Sequence, residues 1–436
     1  HPAQSVKAPI STRAFIMSHN EIGEEPNRYF AWVTVDVVGL AGKRFWPLEE
    51  KFATEGFLPE RLLVTATHNH QAPDTIGLWG DPLKEISGTN PQYMERITES
   101  IEQAVRAAAE NMQPVQISVA STSMESQSPY FNGSKHGGKN PVADARGMLN
   151  DIRDPRIISD RLLTVQANHL ETDATVLTLT TWSGHAEMGS GHDDTISADW
   201  VGITRSALET QYGGTAIHLP EAIGGMQSAL FIPLPLVNED GEWQFDTCTA
   251  EEIVDSSNPY DCLGKTVESN HLDEDNMPIP KWAAEENWES IVSHGWHIAH
   301  AVMASLENAE VLNEMYLDVD SEWMYVPVDN SIYNLIFQLG ILELGFDDMV
   351  QDEALCTEPN SIAPIGCVDA RAFRVRMGDI EFLTAPGEIT PEIAWGLPLD
   401  DPQFVLEAEN TEERGPESYY FIQHLRQCDG VSFEEC

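Results

Sequence analysis

Basic side chains are scarce in this sequence. Its 24 Lys and Arg stand against 71 Asp and Glu, a formal net charge of −47 at pH 7. A surface of that sign repels phosphate backbones and anionic lipid headgroups, which sets nucleic acid aside as a partner. The acidic residues are spread along the chain and form no tail. They read as a solvated surface suited to a halophilic, marine or calcium-rich setting, with Ca2+ or another structural cation as a candidate companion. Long apolar runs are also missing. The longest candidate, YFAWVTVDVVGLAG, carries Asp36 in its middle, well short of the roughly 20 apolar residues that span a bilayer. There is no internal repeat, no low-complexity linker and no GxSxG elbow. The chain opens at His1 with neither methionine nor signal peptide, as expected of a mature or trimmed product.

CxxC is absent too, which disfavours thiolate zinc and thioredoxin-like chemistry. The six cysteines instead fall into three close pairs, Cys248/Cys262, Cys356/Cys367 and Cys428/Cys436. In a secreted or cell-surface protein these read as three short-loop disulfides. A loop of about 15 residues is worth ~3 kcal/mol in the chain-entropy model, so such bridges staple loops and do not build the fold. Six reduced, buried cysteines are the alternative.

What is present is a globular α/β pattern. TRAFIM, RYFAWVTVDVVGL and RLLVTATH are rich in aromatic and β-branched residues and read as buried strands. PQYMERITESIEQAVRAAAENM has Pro91 near its start and an apolar stripe at helical spacing. RLLTVQANHLETDATVLTLTTWSGHA reads as a hairpin. SADWVGITRSALETQY reads as a helix with Ser197 or Asp199 near its cap. PKWAAEENWESIVSHGWHIAHAVMASLEN reads as a long helix, and ARAFRVRMGDIEFLTAPGEIT as a second hairpin. The expected fold is α/β, a mixed β-sheet core with flanking helices. A single domain is expected over 1–436, with the acidic, turn-rich residues 232–280 as an insertion or lid.

Several apolar strands end in chemistry. RLLVTATHNHQAPDT runs into His68-Asn69-His70. In an extended segment both imidazoles face the same way and could meet one ligand. Neutral imidazole is a common zinc donor, and strand carboxyl ends are where α/β folds place their sites. His185 repeats this geometry in TTWSGHAEMGSGHDD, with His192 as a competitor. Glu388 closes a third strand in FLTAPGEIT. Two histidines and a carboxylate match a catalytic zinc set that keeps a position open for water. Ser228 follows two glycines in EAIGGMQSALF, which permit the close backbone approach that exposes a nucleophile. His218 in TAIHLPEAIGG reads as structural.

Taken together, these segments resemble the neutral/alkaline ceramidase family of zinc-dependent amidases. The likeness runs in order from ISTRAFIM to TAPGEITPEIAWG. The family's THTHSGP motif is similar to Thr67-His68-Asn69-His70-Gln71-Ala72-Pro73 here. Its histidine ahead of an ISxD segment resembles His185 before ISADWVG. Its GDVS serine resembles Ser228 in Gly225-Met226-Gln227-Ser228, and its PGE glutamate resembles Glu388. The resemblance implies one Zn2+ held by His68, His185 and Glu388. It also implies that His70 donates to the substrate carbonyl or oxyanion and that Ser228 is activated beside the metal. The implied substrate is a lipid-like amide or another small acylated molecule, with a homo-oligomer left open.

The departures from the family are specific. Ser-Gly has become Gln71-Ala72, and the aspartate of GDVS is gone. An NRS arginine is replaced by Gly133 in Asn132-Gly133-Ser134, where Lys135 or His136 could substitute. The family's zinc-shell tyrosine has only Tyr419 and Tyr420 as candidates. The family's N-terminal strand region and C-terminal immunoglobulin-like domain have no counterpart, which implies a divergent branch or a trimmed chain. Two other readings compete. One is an amidohydrolase barrel, which also closes an early strand with HxH. The other is a non-enzymatic acidic surface or matrix protein, self-assembling on a degenerate ceramidase-like fold.

Overall fold

The computed structural model describes residues 3–18, 29–54, 57–124, 148–151, 157–189, 194–230, 234–249, 266, 269–272, 276–283, 287–313, 315–327, 335–336, 339, 341–342 and 367–395. The chain begins with β1 (Ser5–Val6), β2 (Thr12–Met17), β3 (Tyr29–Val35), helix α1 (Trp46–Ala53) and β4 (Phe57–Ala66). Then come α2 (Pro91–Glu110), β5 (Val115–Ser123), β6 (Asn150–Asp151), β7 (Arg161–His169), β8 (Thr175–Trp182) and β9 (Thr195–Ile196). Helix α3 (Asp199–Tyr212) leads to β10 (Thr215–Pro220) and β11 (Met226–Gln227). The last elements are α4 (Trp288–Leu306), β12 (Glu310–Val311), β13 (Leu317–Pro327), β14 (Cys367–Met377), β15 (Ile380–Leu383) and α5 (Pro391–Trp395).

Strand alternation arranges these elements in layers. In β3, Ala31, Val33 and Val35 face α1 and α2, meeting Phe45, Phe52, Met94 and Ile101. The opposite face, with Phe30 and Trp32, packs on Val165, Leu179 and Ile217 of a second sheet. That sheet runs β10-β8-β7-β5-β12. Its far side carries Leu162, Trp182 and Ala216, covered by Trp200, Leu208, Ile291 and Ile298 of α3 and α4. The order is helices, sheet, sheet, helices. A three-stranded sheet, β13-β14-β15, joins the central core through Val319, Phe373 and Val375. The fold class is α/β with mixed sheets. The pairs β3–β4 and β8–β10 are parallel, whereas β5–β7 and β7–β8 are antiparallel. An all-parallel amidohydrolase barrel is not compatible with those pairings.

Local sequence accounts for most of the elements. Asn90 caps α2, accepting from the backbone N–H groups of Gln92 and Tyr93 at 3.0 and 3.2 Å. Pro91 occupies the first turn, where its missing N–H costs nothing. Met94, Ile97, Ile101 and Val105 form the buried stripe. One expectation needs correction. Helix α4 starts at Trp288, with Asn287 as its cap. Residues 281–283 are instead drawn into extended pairing, Leu236 N donating to Lys281 O at 2.7 Å and Ala283 N to Leu234 O at 2.8 Å. Ser197 and Asp199 do lie at the cap of α3, on either side of the cap residue Ala198. Ser197 Oγ accepts from Asp199 N, and Asp199 turns its carboxylate onto its neighbours' amides.

The described part of 232–280 rests on α4. Val237 N donates to Ser293 Oγ at 3.0 Å, and His297 Nε2 donates to Pro235 O at 2.7 Å. No disulfide has both of its cysteines among the described side chains. Cys248 is buried and disulfide-bonded. Cys262, Cys356, Cys428 and Cys436 lie outside the described residues, as does the side chain of Cys367. No helix among the described residues is long and apolar enough to cross a membrane.

The helical side of the second sheet buries three histidines, His218, His294 and His297. His294 packs against Trp182 and Trp200, with ring centroids 5.4 and 5.2 Å away. Burial lowers all three pKa values, that of His218 and of His297 to about 3 and that of His294 well below normal. In the unfolded chain these rings take up protons below roughly pH 6.5. The folded state then binds fewer protons, so stability is lost as pH falls below that value. Asp199, which burial pushes up to about 6, acts in the opposite sense over the narrower window between about 4 and 6. Three histidines outweigh one carboxyl. Thermal unfolding should therefore move to lower temperature between pH 7 and pH 5, and His294→Phe should flatten that slope. A midpoint constant over this range would contradict the assignment.

Candidate metal centre

Strand β4 leaves its sheet beside β3 and keeps its pairing for two more steps. Thr67 N donates to Val35 O and Asn69 N to Val37 O, each at 3.0 Å. Between them His68 sits at φ +58°, in the left-handed region. A non-glycine residue rarely adopts that conformation, and it re-aims the side chain. The expectation of a simple extended HxH therefore needs correcting. His68 and His70 do converge, with ring centroids 4.8 Å apart, but through this local turn.

His185 approaches from the end of β8. The two loops lie side by side: Asn69 and Ala186 form a parallel bridge, and His70 N donates to Ala186 O at 2.9 Å. The His68 and His185 rings are 4.7 Å apart. Each is oriented from behind. Nδ1 of His68 meets Val38 O at 2.6 Å, and Nδ1 of His185 meets Met226 O. A carbonyl can only accept, so Nδ1 carries a proton in each ring and Nε2 is the atom presented to the site.

Both Nε2 atoms point at one carboxylate. Oε1 of Glu388 lies 3.2 Å from His68 Nε2, and Oε2 lies 3.3 Å from His185 Nε2. Glu388 follows Gly387, which holds φ +82° in the turn after β15. That turn presses against the glycine turn before Ser228. Gly224 N donates to Ile389 O at 2.8 Å, and a Cβ on Gly224 would lie 2.7 Å from Glu388 O. Ser228 is fully buried, with no hydrogen-bond partner at Oγ among the described residues. Its backbone N–H donates to Glu187 Oε1 at 3.3 Å. Four segments separate in sequence thus meet at one place.

The imidazoles do not share one electrostatic environment. Burial leads in lowering His68. Desolvation, then the neighbouring rings of His68 and His185, pulls His70 down to about 4, although its outer edge meets solvent. Burial also opposes protonation of His185, but the Glu388 hydrogen bond and the Glu187 and Glu388 charges outweigh it and raise its pKa. Glu388 is lowered, first by its hydrogen bond with His185. Burial raises Glu187. At neutral pH His68 and His70 are uncharged donors, the form a metal requires.

Ring nitrogens of His68, His70 and His185 lie within 4.8 Å of one another and could hold a metal ion. The imidazole and carboxylate donors fit Zn2+, and the backs of two rings are already engaged by carbonyls, as metal-binding histidines require. His218 lies elsewhere, its Nδ1 3.1 Å from Thr180 Oγ1 and its ring against Trp200. His192, Gly133, Lys135, His136, Tyr419 and Tyr420 lie outside the described residues. Sequence reasoning missed Glu187. Its one signal was an acid two residues beyond His185 at the end of an apolar strand.

No protein-family model and no curated protein sequence matches the chain. Among solved structures it is similar to neutral ceramidase from Pseudomonas aeruginosa, at 14% identity and a TM-score of 0.48 over 87% of this chain and 57% of that one. It is also similar to a ceramidase complexed with C2, at 14% identity and a TM-score of 0.52 over 87% of this chain and 58% of that one. The second likeness shows a ceramidase-like fold. The chain spans less than two thirds of the length of either neighbour.

The geometry makes metal affinity specific to named residues. His68→Ala and His185→Ala should each lower Zn2+ affinity by more than about 100-fold in competition with a chromophoric chelator. His169→Ala, at the end of β7, should leave it unchanged. Equal affinities in all three variants would remove the centre from this location.

Proposed function

We propose that the chain is a zinc-dependent amide hydrolase that cleaves the N-acyl bond of a ceramide-like lipid or another small acylated molecule. One observation carries the reading. Two imidazoles, each held at Nδ1 by a backbone carbonyl, turn their Nε2 atoms onto the two oxygens of a single carboxylate. Such an arrangement serves a cation better than it serves a fold, because it gathers buried His185, part-buried His68 and half-exposed Glu388 at a surface-reaching edge.

In this reading His68, His185 and Glu388 hold Zn2+. When bound, the ion would polarise an amide carbonyl and lower the pKa of a hydroxyl or water beside it. His70 stands next to the donor set as a neutral ring, drawn down to about 4. It can offer an N–H to a developing oxyanion without bringing a charge of its own. Ser228 is the candidate nucleophile, with a buried Oγ that no group among the described residues engages. Glu187 holds the Ser228 amide, so that N–H is not free to serve as an oxyanion donor and His70 takes the role.

The ceramidase-like fold supports an acylated lipid as the substrate class. Because the chain spans only part of its neighbours' length, the activity of a whole protein is part of the proposal. Export to an oxidising compartment and short-loop disulfides are also proposed, supported by the disulfide at Cys248. The test is hydrolysis of an N-acylsphingosine and simple N-acyl amine panel by the zinc-loaded chain. Activity should vanish on chelation and return with Zn2+. Ser228→Ala should lower kcat by at least about 1,000-fold at unchanged zinc content. Full activity in the chelated sample would overturn the proposal, and an active Ser228→Ala would overturn the role of the serine.

A further inference from the structure

Two amide side chains, Asn69 and Gln71, flank His70 without belonging to the donor set. Both are buried, at 0% and 7% exposure. Asn69 Nδ2 donates to Ser197 O at 2.7 Å, and Asn69 Oδ1 accepts from Gln71 N at 3.0 Å. Gln71 then crosses from the His68/His70 loop to the loop that carries His185. Its Nε2 donates to Gly189 O at 2.8 Å, and its backbone O accepts from Ser197 N at 3.2 Å.

The contact with Gly189 is unusually close. A Cβ built on Gly189 would lie 2.0 Å from both Cδ and Oε1 of Gln71. Gly189 has no positive φ, unlike Gly225 and Gly387, so its backbone does not call for glycine. Steric exclusion by Gln71 does. Nor can Gly189 simply retreat, because its N–H is held by Asp199 Oδ2 at 2.8 Å. Gln71 Oε1 is itself buried without a hydrogen-bond partner among the described residues. A buried, unsatisfied acceptor costs stability, and only the Nε2 half of this amide is satisfied, by Gly189 O.

We infer that Gln71 is a positioning residue for the metal centre. Wedged against Gly189, it sets the separation between the loop bearing His68 and His70 and the loop bearing His185. The inference rests on the metal-centre reading and goes beyond it, because it assigns a role to a side chain that touches none of the donor atoms. Gln71 and Gly189 should then be coupled: changing either alters the geometry offered to the metal, and changing both together relieves the clash.

The experiment is Co2+ binding to the purified full chain, read as affinity and as the visible d–d spectrum. Folding is monitored in parallel by circular dichroism. The variants are Gln71→Ala, Gly189→Ala and the double variant. Each single substitution should weaken Co2+ binding by about 10- to 100-fold and change the band pattern. The double variant should bind no more weakly than Gly189→Ala alone, so the two losses do not multiply. If Gly189→Ala does not fold, a folded double variant would itself report the relieved clash, and Gln71→Ala still reads the geometry. Wild-type affinity and spectrum in Gln71→Ala, or losses that multiply in the double variant, would overturn the inference while leaving the centre intact. A wild-type chain that binds no Co2+ would overturn the metal-centre reading and this inference together.

Discussion

Asp36 leaves the end of β3 with a carboxylate that meets no solvent, and Arg205 of α3 closes on it with two parallel bonds of 2.8 and 2.6 Å. Both side chains are almost wholly buried. Two desolvated charges are tolerable only when each is paired and hydrogen-bonded, and removing one partner typically costs about 3–5 kcal/mol. Here the remaining lone pairs do structural work as well. Ser11, ahead of β2, donates its N–H and Oγ–H to Oδ2 at 2.8 and 3.0 Å, and Thr67 Oγ1 reaches Oδ1 at 3.3 Å. The backbone carbonyl of Asp36 accepts from Asn69 Nδ2 at 3.4 Å. One ion pair therefore ties the approach to β2, the exit of β3, helix α3 and the loop after β4.

That anchoring explains how a left-handed histidine persists at the end of a strand. His68 has backbone pairing on either side, at Thr67 and Asn69, and its own ring is held by Val38. The surrounding structure over-determines the strained residue, which is how such conformations survive at functional sites. The same logic governs His185, whose ring is bound to Met226 O and whose own carbonyl accepts from Trp200 Nε1 at 2.8 Å. The donors are thus preorganised by backbone groups, and little side-chain freedom remains to be lost when a cation enters.

Much of this was legible in the sequence, because much of it is local. The aromatic and β-branched runs of β2 and β3, the β7–β8 hairpin and the Pro91 start of α2 follow from neighbouring residues alone. The convergence of His68, His185 and Glu388 was legible as a repeated motif, a polar ligand-type residue closing an apolar strand, and as what the family resemblance implies. Glu187 and the Gln71–Gly189 wedge were not legible. They depend on which loops lie side by side, and that is set by the parallel Asn69–Ala186 bridge between segments over a hundred residues apart. Helix α4 was over-extended for a related reason. The amphipathic pattern of 281–287 loses to pairing with residues 234–236 and to the Asn287 cap, which accepts from Ser290 N at 3.0 Å.

The most direct test of the centre is X-ray absorption spectroscopy on the zinc-loaded chain, because it reads the donor atoms without assuming any reaction. The account predicts one Zn2+ per chain with imidazole nitrogens and a carboxylate oxygen at about 2.0–2.2 Å. It also predicts the multiple-scattering signature of at least two histidine rings. A zinc shell of oxygen alone, sulfur at about 2.3 Å, or a chain that retains no zinc after gel filtration would contradict it.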